Sequence, residues 1–255
     1  MRENTIRRKW RENQAVVNGW LAIPSAFSAE TMAHQGWDSL TIDMQHGVVD
    51  YQAAVGMLAA IATTPTMPVV RVPWLDVATI MKMLDAGAYA IICPMINSGA
   101  DAETFVAACN YAPKGMRSFG PIRALLYAGA DYPTHANDTV LPMAMIETKK
   151  ALDNVDEILA VEGLAAVYIG PADLSLQLGC TPKFDQDEKP VVEAIDMVLR
   201  KAREKGVVAG IHNGTPEYAL RMIEKGFRFV TIGSDARLMA AGAQGVVGKM
   251  KAGIK

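Results

Sequence analysis

Short apolar runs rich in β-branched residues recur along the whole chain and alternate with segments of helical period. Eight runs predict strands, over residues 16–23, 39–43, 67–72, 88–95, 141–147, 165–170, 207–212 and 229–233. Their apolar positions are continuous rather than alternating, which is typical of parallel strands covered on both faces. The pattern therefore predicts a buried parallel sheet surrounded by helices.

The segments between these runs carry the end signals of helices. Helical patterns cover residues 76–85 and 187–205, and Thr215 followed by Pro216 marks the start of another helix. A repeated joint, in which an apolar helix end is followed by a glycine and then a strand, occurs at Gly36, Gly87, Gly163, Gly206 and Gly226. Glycine supplies the left-handed conformation that ends a helix.

Eight strand–helix units in 255 residues predict an α/β protein, a (β/α)8 TIM barrel that forms a single domain over residues 1–255. A doubly wound open sheet is the alternative, but it would usually carry a glycine-rich turn after its first strand, and residues 24–27 read Pro-Ser-Ala-Phe. Residues 113–140 show no strand pattern and are long for a connection. They are interpreted as a lid, a subunit contact or an irregular loop.

Composition excludes several classes of protein. The chain is 51% hydrophobic and 20% charged with a net charge of −2, which argues against disorder and against a nucleic-acid or anionic-membrane partner. We expect neither a membrane helix nor a secretory signal, because long apolar runs are missing. Three widely spaced cysteines favour reduced thiols and a cytoplasmic protein.

Ionisable side chains gather at the carboxyl ends of the predicted strands, where TIM barrels hold their active sites. They are Asp43 and His46 after the second strand, Arg71 after the third, Glu147 after the fifth, Asp173 in Gly170-Pro171-Ala172-Asp173 after the sixth, His212 after the seventh and Asp235 after the eighth. Packing alone does not require so many charges on one rim. Taken singly, each also has a structural explanation, such as a helix cap or an ion pair.

The residue types suggest one chemistry. Glu147 and Asp173 follow neighbouring strands and suit a hard divalent cation such as Mg²⁺ or Mn²⁺. Arg71 offers a planar fork for a substrate carboxylate. A histidine beside an aspartate, as in His46 and Asp43, can act as an acid/base at neutral pH. Together they indicate enolate chemistry on a 2-oxo acid. Because lysines fall within helices, the pattern disfavours a Schiff base.

Four motifs resemble one known family. They are D-M-Q-H-G at 43–47, V-V-R-V-P at 69–73, M-I-E-T at 145–148 and Y-I-G-P-A-D-L-S at 168–175. The sequence resembles the HpcH/HpaI aldolases, which are class II, metal-dependent pyruvate aldolases. Relatives include 4-hydroxy-2-oxoheptanedioate and 2-dehydro-3-deoxyglucarate aldolases. The resemblance runs nearly end to end, from Gly19 to Gly233.

The resemblance implies a role for each matching residue. Glu147 and Asp173 would hold a divalent cation, Mg²⁺, Mn²⁺ or Co²⁺. Arg71 would bind the pyruvate carboxylate and help polarise the ketone. His46, oriented by Asp43, would be the acid/base and would act through water.

Further implications concern the substrates and the assembly. The backbone around Gly170, Pro171 and Ala172 would receive the pyruvate carboxylate. The products would be pyruvate, or a close 2-oxo acid, and an aldehyde. The barrel would be of the phosphoenolpyruvate/pyruvate type. It would form a homohexamer, a trimer of dimers, with the C-terminal helix (about 234–252) exchanged between neighbours.

Departures from the family pattern leave alternatives open. Gln45 stands where the family commonly has Glu, and Met145 stands where many relatives have Gln. Another lyase on the same core is one alternative: a 2-oxo diacid decarboxylase, or a citrate-lyase-like enzyme for which Arg117 and Arg123 would be the extra basic residues at the rim. A non-catalytic carboxylate-binding barrel is the other, and the joint presence of Glu147, Asp173, Arg71 and His46 argues against it.

Overall fold

The structure is a computed structural model that describes residues 1–254, and its centre is a closed barrel of eight parallel strands in chain order. The strands are β1 (Val16–Leu21), β2 (Ser39–Asp43), β3 (Met67–Arg71), β4 (Ala90–Cys93), β5 (Leu141–Ile146), β6 (Ala166–Ile169), β7 (Val208–Asn213) and β8 (Phe229–Ser234). The barrel closes where β1 pairs with β8, Val16 opposite Phe229. The (β/α)8 TIM barrel is confirmed, and the open sheet is excluded.

At least one helix connects each strand to the next. The helices are α1 (Thr5–Arg11), α2 (Ala26–Ala33), α3 (Tyr51–Ile61), α4 (Val77–Asp85), α5 (Gly99–Cys109), α6 (Ile122–Ala128), α7 (Tyr132–Thr139), α8 (Lys149–Asp153), α9 (Val155–Leu159), α10 (Pro171–Gln177), α11 (Lys189–Glu204), α12 (Pro216–Lys225) and α13 (Asp235–Gly253). Thr215 caps α12 as predicted, since its side chain accepts the Tyr218 N–H. All five predicted joint glycines have positive φ, between 70° and 119°.

Strand boundaries differ from prediction by one or two residues, most clearly around β4. The predicted strand over residues 88–95 continues past the observed end at Cys93. Pro94 has no N–H to donate to a ladder, and Met95 adopts a left-handed φ of 57°. The apolar run of the sequence therefore continues beyond the strand into a turn, where the backbone leaves the direction of β4.

Helices α6 and α7 occupy residues 122–128 and 132–139 of the predicted strand-free segment 113–140, so its interpretation as an irregular loop is wrong for this part, whereas residues 113–121 are irregular. Arg117 fastens the segment to the barrel, since its guanidinium donates to Asp85 at 2.7 Å and to the Tyr132 hydroxyl at 2.9 Å. Arg123 donates to the Ala86 carbonyl. Both arginines thus have structural partners away from the barrel mouth. The strand-free character of the segment is as predicted.

Apolar side chains form two clusters. The larger cluster lies between the strands and the surrounding helices. The smaller one includes side chains that point inside the barrel, among them Trp20, Tyr168 and Phe229. Polar side chains of β1 and β2 form a buried layer, in which Ser39 and Thr41 donate to the amide oxygen of Asn18. The barrel interior is therefore filled, and only its mouth is open.

Three remaining predictions concern the C-terminal helix, the state of the cysteines and membrane helices. Helix α13 covers nearly the predicted range and is exposed along its length, with Asp235 its buried residue. The three cysteines are free thiols. Within residues 1–254, no helix combines the length and the apolar character that crossing a bilayer requires.

Candidate active site

A cavity of about 390 Å³ opens at the carboxyl ends of the strands. Its lining includes seven of the predicted site residues: Asp43, His46, Arg71, Gly170, Pro171, Ala172 and Asp173. It also includes aromatic and basic side chains from distant parts of the chain, among them Trp20, Tyr168, Phe184, His212 and Arg237. The structure thus brings the rim residues to one place.

Asp43 and Arg71 form a buried, two-pronged ion pair across β2 and β3. The strand register sets them opposite each other, and the Arg71 Nε and Nη2 donate to the two oxygens of Asp43 at 2.9 and 2.7 Å. Trp20 Nε1 also donates to Asp43, and its ring lies 4.8 Å from the Arg71 guanidinium carbon. Burial acts to raise the pKa of Asp43, but the Arg71 hydrogen bonds and charge outweigh it, so the pKa falls below its ordinary value.

His46 contacts Asp43 through the backbone N–H of His46 and not through its ring. Oδ1 of Asp43 accepts the backbone N–H of His46 at 3.2 Å and that of Gln45 at 3.0 Å. In the described part of the chain the His46 ring has no hydrogen-bond partner; it is exposed at the mouth of the cavity. The expected orientation of the ring by Asp43 is therefore not formed, because Arg71, Trp20 and two backbone donors occupy that carboxylate.

Glu147 lies buried beneath the rim and is held by an unusual backbone turn. Its Oε1 accepts the Met95 N–H at 2.9 Å, and the left-handed φ of Met95 aims that N–H. Asn97 secures the turn by donating to the Met95 carbonyl. Burial raises the pKa of Glu147 to about 7; the Met95 N–H partly offsets this, and the charge of Asp173 adds to it.

The carboxylates of Glu147 and Asp173 fit a divalent cation. Asp173 lies in the first turn of α10, exposed to the cavity. Gly170 leaves room beside Glu147, since a Cβ there would lie 2.6 Å from Oε2. Among residues 1–254, no group of three or more metal-ligating side chains occurs. Mg²⁺ needs only one or two protein carboxylates, because water and substrate oxygens complete its shell.

The two residues that depart from the family pattern, Met145 and Gln45, lie inside and outside the cavity lining, respectively. The methyl group of Met145 lies 3.1 Å from the position of a Cβ on Gly170, and Met145 lines the cavity. Gln45 is half-buried outside that lining, and its Oε1 is an enclosed atom without a hydrogen-bond partner among the described residues. Met145 thus bears directly on the shape of the site.

Aromatic side chains line the same cavity as Asp173, and of these only His212 was among the rim residues predicted from the sequence. The His212 ring lies 4.5 Å from Phe184 and 5.0 Å from Trp20, centre to centre. Burial, helped by the charges of Arg71 and Arg237, lowers the pKa of His212 to about 3, so the ring is neutral. Trp20 and Tyr168 look like core residues in an apolar run. Arg237 lies about one turn after the end of β8, and this position at the rim of the barrel is the sequence feature that could have identified it as a site residue.

The barrel mouth thus gathers Asp43, Arg71 and Asp173 in one cavity, and comparison with known proteins specifies the class of protein. The profile of the HpcH/HpaI aldolase/citrate lyase family matches residues 18–241. The chain belongs to this family, which confirms the resemblance seen in its motifs. It is accordingly a lyase of the aldolase type, and class II aldolases of this family generally depend on a divalent metal.

Individual relatives align over nearly the whole chain. A "Hydroxypyruvate/pyruvate aldolase" of Rhizorhabdus wittichii is 43% identical and covers 98% of this chain and 99% of its own length. A "4-hydroxy-2-oxo-heptane-1,7-dioate aldolase" of Escherichia coli is 35% identical, with coverages of 98% and 96%. Among solved structures, a HpcH/HpaI aldolase/citrate lyase family protein from Burkholderia cenocepacia superposes with a TM-score of 0.90 at 30% identity, covering 97% of this chain and 99% of that one.

Proposed function

We propose that the protein is a divalent-metal-dependent aldolase that reversibly cleaves a 4-hydroxy-2-oxo acid to pyruvate, or a close 2-oxo acid, and an aldehyde. The observation that carries this proposal is that Asp173 and the Arg71–Asp43 pair line one cavity, while buried Glu147 lies directly beneath it, beside Gly170 and within reach of the charge of Asp173. The names of the relatives support the same reaction.

Glu147 and Asp173 would hold the cation, with Mg²⁺, Mn²⁺ and Co²⁺ as the candidates. Burial is the main reason why the pKa of Glu147 is raised to about 7, and repulsion by the charge of Asp173 adds to it. A divalent cation held by these two carboxylates would offset their repulsion and would supply a positive charge that polarises the 2-oxo group and favours the enolate. The Met95 N–H fixes one oxygen of Glu147 and leaves the other beside Gly170.

The remaining residues bind the oxo acid and move protons. Asp43 holds the Arg71 guanidinium in a fixed plane, from which its remaining N–H groups would bind the carboxylate and ketone oxygens. Backbone N–H groups at the start of α10, after Gly170 and Pro171, would bind the carboxylate as well. His46 would take the proton of the 4-hydroxyl group through water as the C3–C4 bond breaks. The electron pair of that bond goes to C3, which then takes up a proton to become the methyl group of pyruvate.

The citrate-lyase-like alternative would act on an acyl-CoA, with Arg117 and Arg123 as the predicted basic residues at the rim. These two arginines instead bind Asp85 and the Ala86 carbonyl, away from the barrel mouth. A 2-oxo diacid decarboxylase would use the same carboxylates and arginine, and would release CO₂ in place of an aldehyde.

A screen of 4-hydroxy-2-oxo acids, with pyruvate release as the readout, tests the proposal. We expect release with Mg²⁺, Mn²⁺ or Co²⁺, loss of activity on chelation and recovery when the metal is returned. CO₂ release without an aldehyde product would favour the decarboxylase. Cleavage that survives exhaustive chelation would contradict the metal-dependent mechanism.

A further inference from the structure

Glu147 is held between the loops that follow β4 and β5. The Met95 N–H donates to its Oε1 at 2.9 Å, and Glu147 is only 2% exposed. Thr148, the next residue along the chain, donates its hydroxyl hydrogen to Oδ1 of Asn97. Asn97 in turn donates to the Met95 carbonyl at 2.8 Å. These hydrogen bonds close a ring that begins and ends at Glu147.

Asn97 is the centre of this ring, because each of its four polar groups has a partner. Its backbone N–H donates to Asp101 in the first turn of α5 at 3.0 Å. Its carbonyl accepts the side-chain amide of Asn154, which lies between α8 and α9, at 2.8 Å. Its own side-chain amide makes the two bonds of the ring, to Met95 and Thr148. We call these two bonds the Asn97 clamp.

The clamp gives the two oxygens of Glu147 different roles. Oε1 is occupied by the Met95 N–H. Oε2 lies toward Gly170, which lines the cavity, since a Cβ on that glycine would be 2.6 Å from Oε2. A cation that bound both oxygens would share Oε1 with an N–H group, whose positive end would repel it. While the turn at Met95 is held, Glu147 therefore offers a cation one oxygen.

We propose that the Asn97 clamp makes the site selective for Mg²⁺, and for cations of similar size, over Ca²⁺. Mg²⁺ requires a strict octahedron of single oxygens at about 2.0–2.1 Å, whereas Ca²⁺ takes about six to eight ligands and accommodates both oxygens of one carboxylate. Asn97 acts on the cation through Met95 and Glu147, so it is a positioning residue. The inference rests on the proposed aldolase function and specifies the selectivity of its metal site.

Metal binding in the absence of substrate tests the clamp. The electron paramagnetic resonance signal of free Mn²⁺ gives the Kd for Mn²⁺, and displacement of Mn²⁺ by Mg²⁺ or Ca²⁺ gives the other two values. We expect a higher Kd for Ca²⁺ than for Mg²⁺ in the wild-type protein. Asn97→Ala should raise the Kd for Mg²⁺ about 10–100-fold, the usual cost of losing a residue that orients a ligand. The Kd for Ca²⁺ should rise much less, because a released Glu147 can turn both oxygens toward the larger cation.

Three further variants serve as a second test, a rescue and a control. Thr148→Val removes the hydroxyl that holds Asn97 and should lower the ratio of the Kd for Ca²⁺ to that for Mg²⁺. Thr148→Ser keeps the hydroxyl and should keep the wild-type ratio. Asn110→Ala is the control, because Asn110 also donates to a backbone carbonyl, that of Val106, but follows the opposite end of α5. It should leave all three Kd values unchanged.

Glu147→Gln separates the clamp from the metal site itself. A lower ratio in Asn97→Ala, with the wild-type ratio in Asn110→Ala, is the predicted result; if thermal unfolding shows that Asn97→Ala does not fold, the two Thr148 variants decide. If Mn²⁺ binding is lost in Glu147→Gln but the ratio is unchanged in Asn97→Ala, or if wild-type protein binds Ca²⁺ as tightly as Mg²⁺, the clamp alone is overturned. Wild-type protein that binds no Mn²⁺, or Mn²⁺ binding that is unchanged in Glu147→Gln, contradicts the metal site of the proposed aldolase and the clamp with it.

Discussion

Arg71 is oriented before any substrate binds, because Asp43 accepts two of its N–H groups and Trp20 covers its guanidinium. Arg71→Lys keeps the positive charge but cannot contact both Asp43 and a substrate in the same plane. We expect kcat/KM for pyruvate release to fall about 10²–10³-fold, the usual cost of losing one oriented donor. Circular dichroism should show an intact fold, and near-normal turnover would contradict this role of Arg71.

Glu147 links metal binding to pH. Burial raises its pKa to about 7 in the metal-free protein, and a cation must displace the proton. The apparent Kd for Mg²⁺ should therefore rise about tenfold for each unit that the pH falls below 7. Titration calorimetry from pH 8 to pH 5.5 measures this, with Glu147→Gln as a control that lacks the slope. A flat affinity over that range would contradict the account.

The same group affects the stability of the metal-free protein. Because the folded-state pKa exceeds the ordinary value of 4.5, the native state binds the proton more tightly than the unfolded chain does. The contribution of Glu147 to stability is thus greatest at low pH and is lost as the pH rises from about 4.5 through about 7.

Some site residues follow from the sequence and others from the fold. Asp43, Arg71 and Asp173 were predictable because each ends a strand or starts the following helix at the catalytic rim. The hydrogen bond from the Met95 N–H to Glu147 could not be predicted, because the direction of this N–H depends on a left-handed turn after Pro94. The hydrogen bonds of Asp43 were also not predictable, since Trp20 reaches it from another strand.

At the scale of elements, the repeated helix–glycine–strand joint precedes five of the eight strands of the barrel. Gly206 joins α11 to β7 with φ at 70°, and no atom lies within 4 Å of the position of its Cβ. Gly206→Ala should therefore destabilise the protein by backbone strain alone, roughly 1–2 kcal/mol, while pyruvate release is unchanged because the joint lies at the amino ends of the strands.

Gly56 is the matched control for this prediction. It lies inside helix α3, and an added Cβ would meet Ala26 at an ordinary 3.8 Å. Gly56→Ala should stabilise the protein by up to about 1 kcal/mol, since alanine favours a helix interior. Thermal unfolding of both variants should thus shift in opposite directions. If the unfolding temperatures of both variants shifted in the same direction, the left-handed conformation at residue 206 would not be the reason why glycine stabilises the joint.

The sequence predicts the order of these elements better than their limits. Caps such as Thr215 and the joint glycines are local signals, so the order of strands and helices was accessible. Helices α6 and α7 were not predicted, because Arg117 and its contacts with Asp85 and Tyr132 stabilise a segment whose own pattern is weak.

At the scale of the whole molecule, helix α13 exposes a row of apolar side chains. Leu238, Met239, Val246, Val247 and Met250 are each about half or more exposed, which is unusual for apolar residues on one helix. We propose that this helix is exchanged between subunits of a homohexamer, a trimer of dimers.

A charge on this face tests the proposed assembly. Val246→Glu should convert the hexamer to smaller species in light scattering, because a carboxylate would be buried without a partner. Leu220→Glu, at an exposed position on α12, is the control and should leave the mass unchanged. A hexamer that persists in Val246→Glu, or a wild-type protein that is monomeric, would contradict the exchange.

We propose that Glu147 and Asp173 hold the divalent cation that enolisation of pyruvate requires. The most direct measurement is the exchange of the pyruvate methyl protons in D₂O, followed by proton NMR with no aldehyde present. The account predicts exchange with Mg²⁺, its loss on chelation, its recovery when Mg²⁺ is returned, and a decrease of at least about 10²-fold in Glu147→Gln. Exchange that survives exhaustive chelation, or that is unchanged in Glu147→Gln, would contradict it.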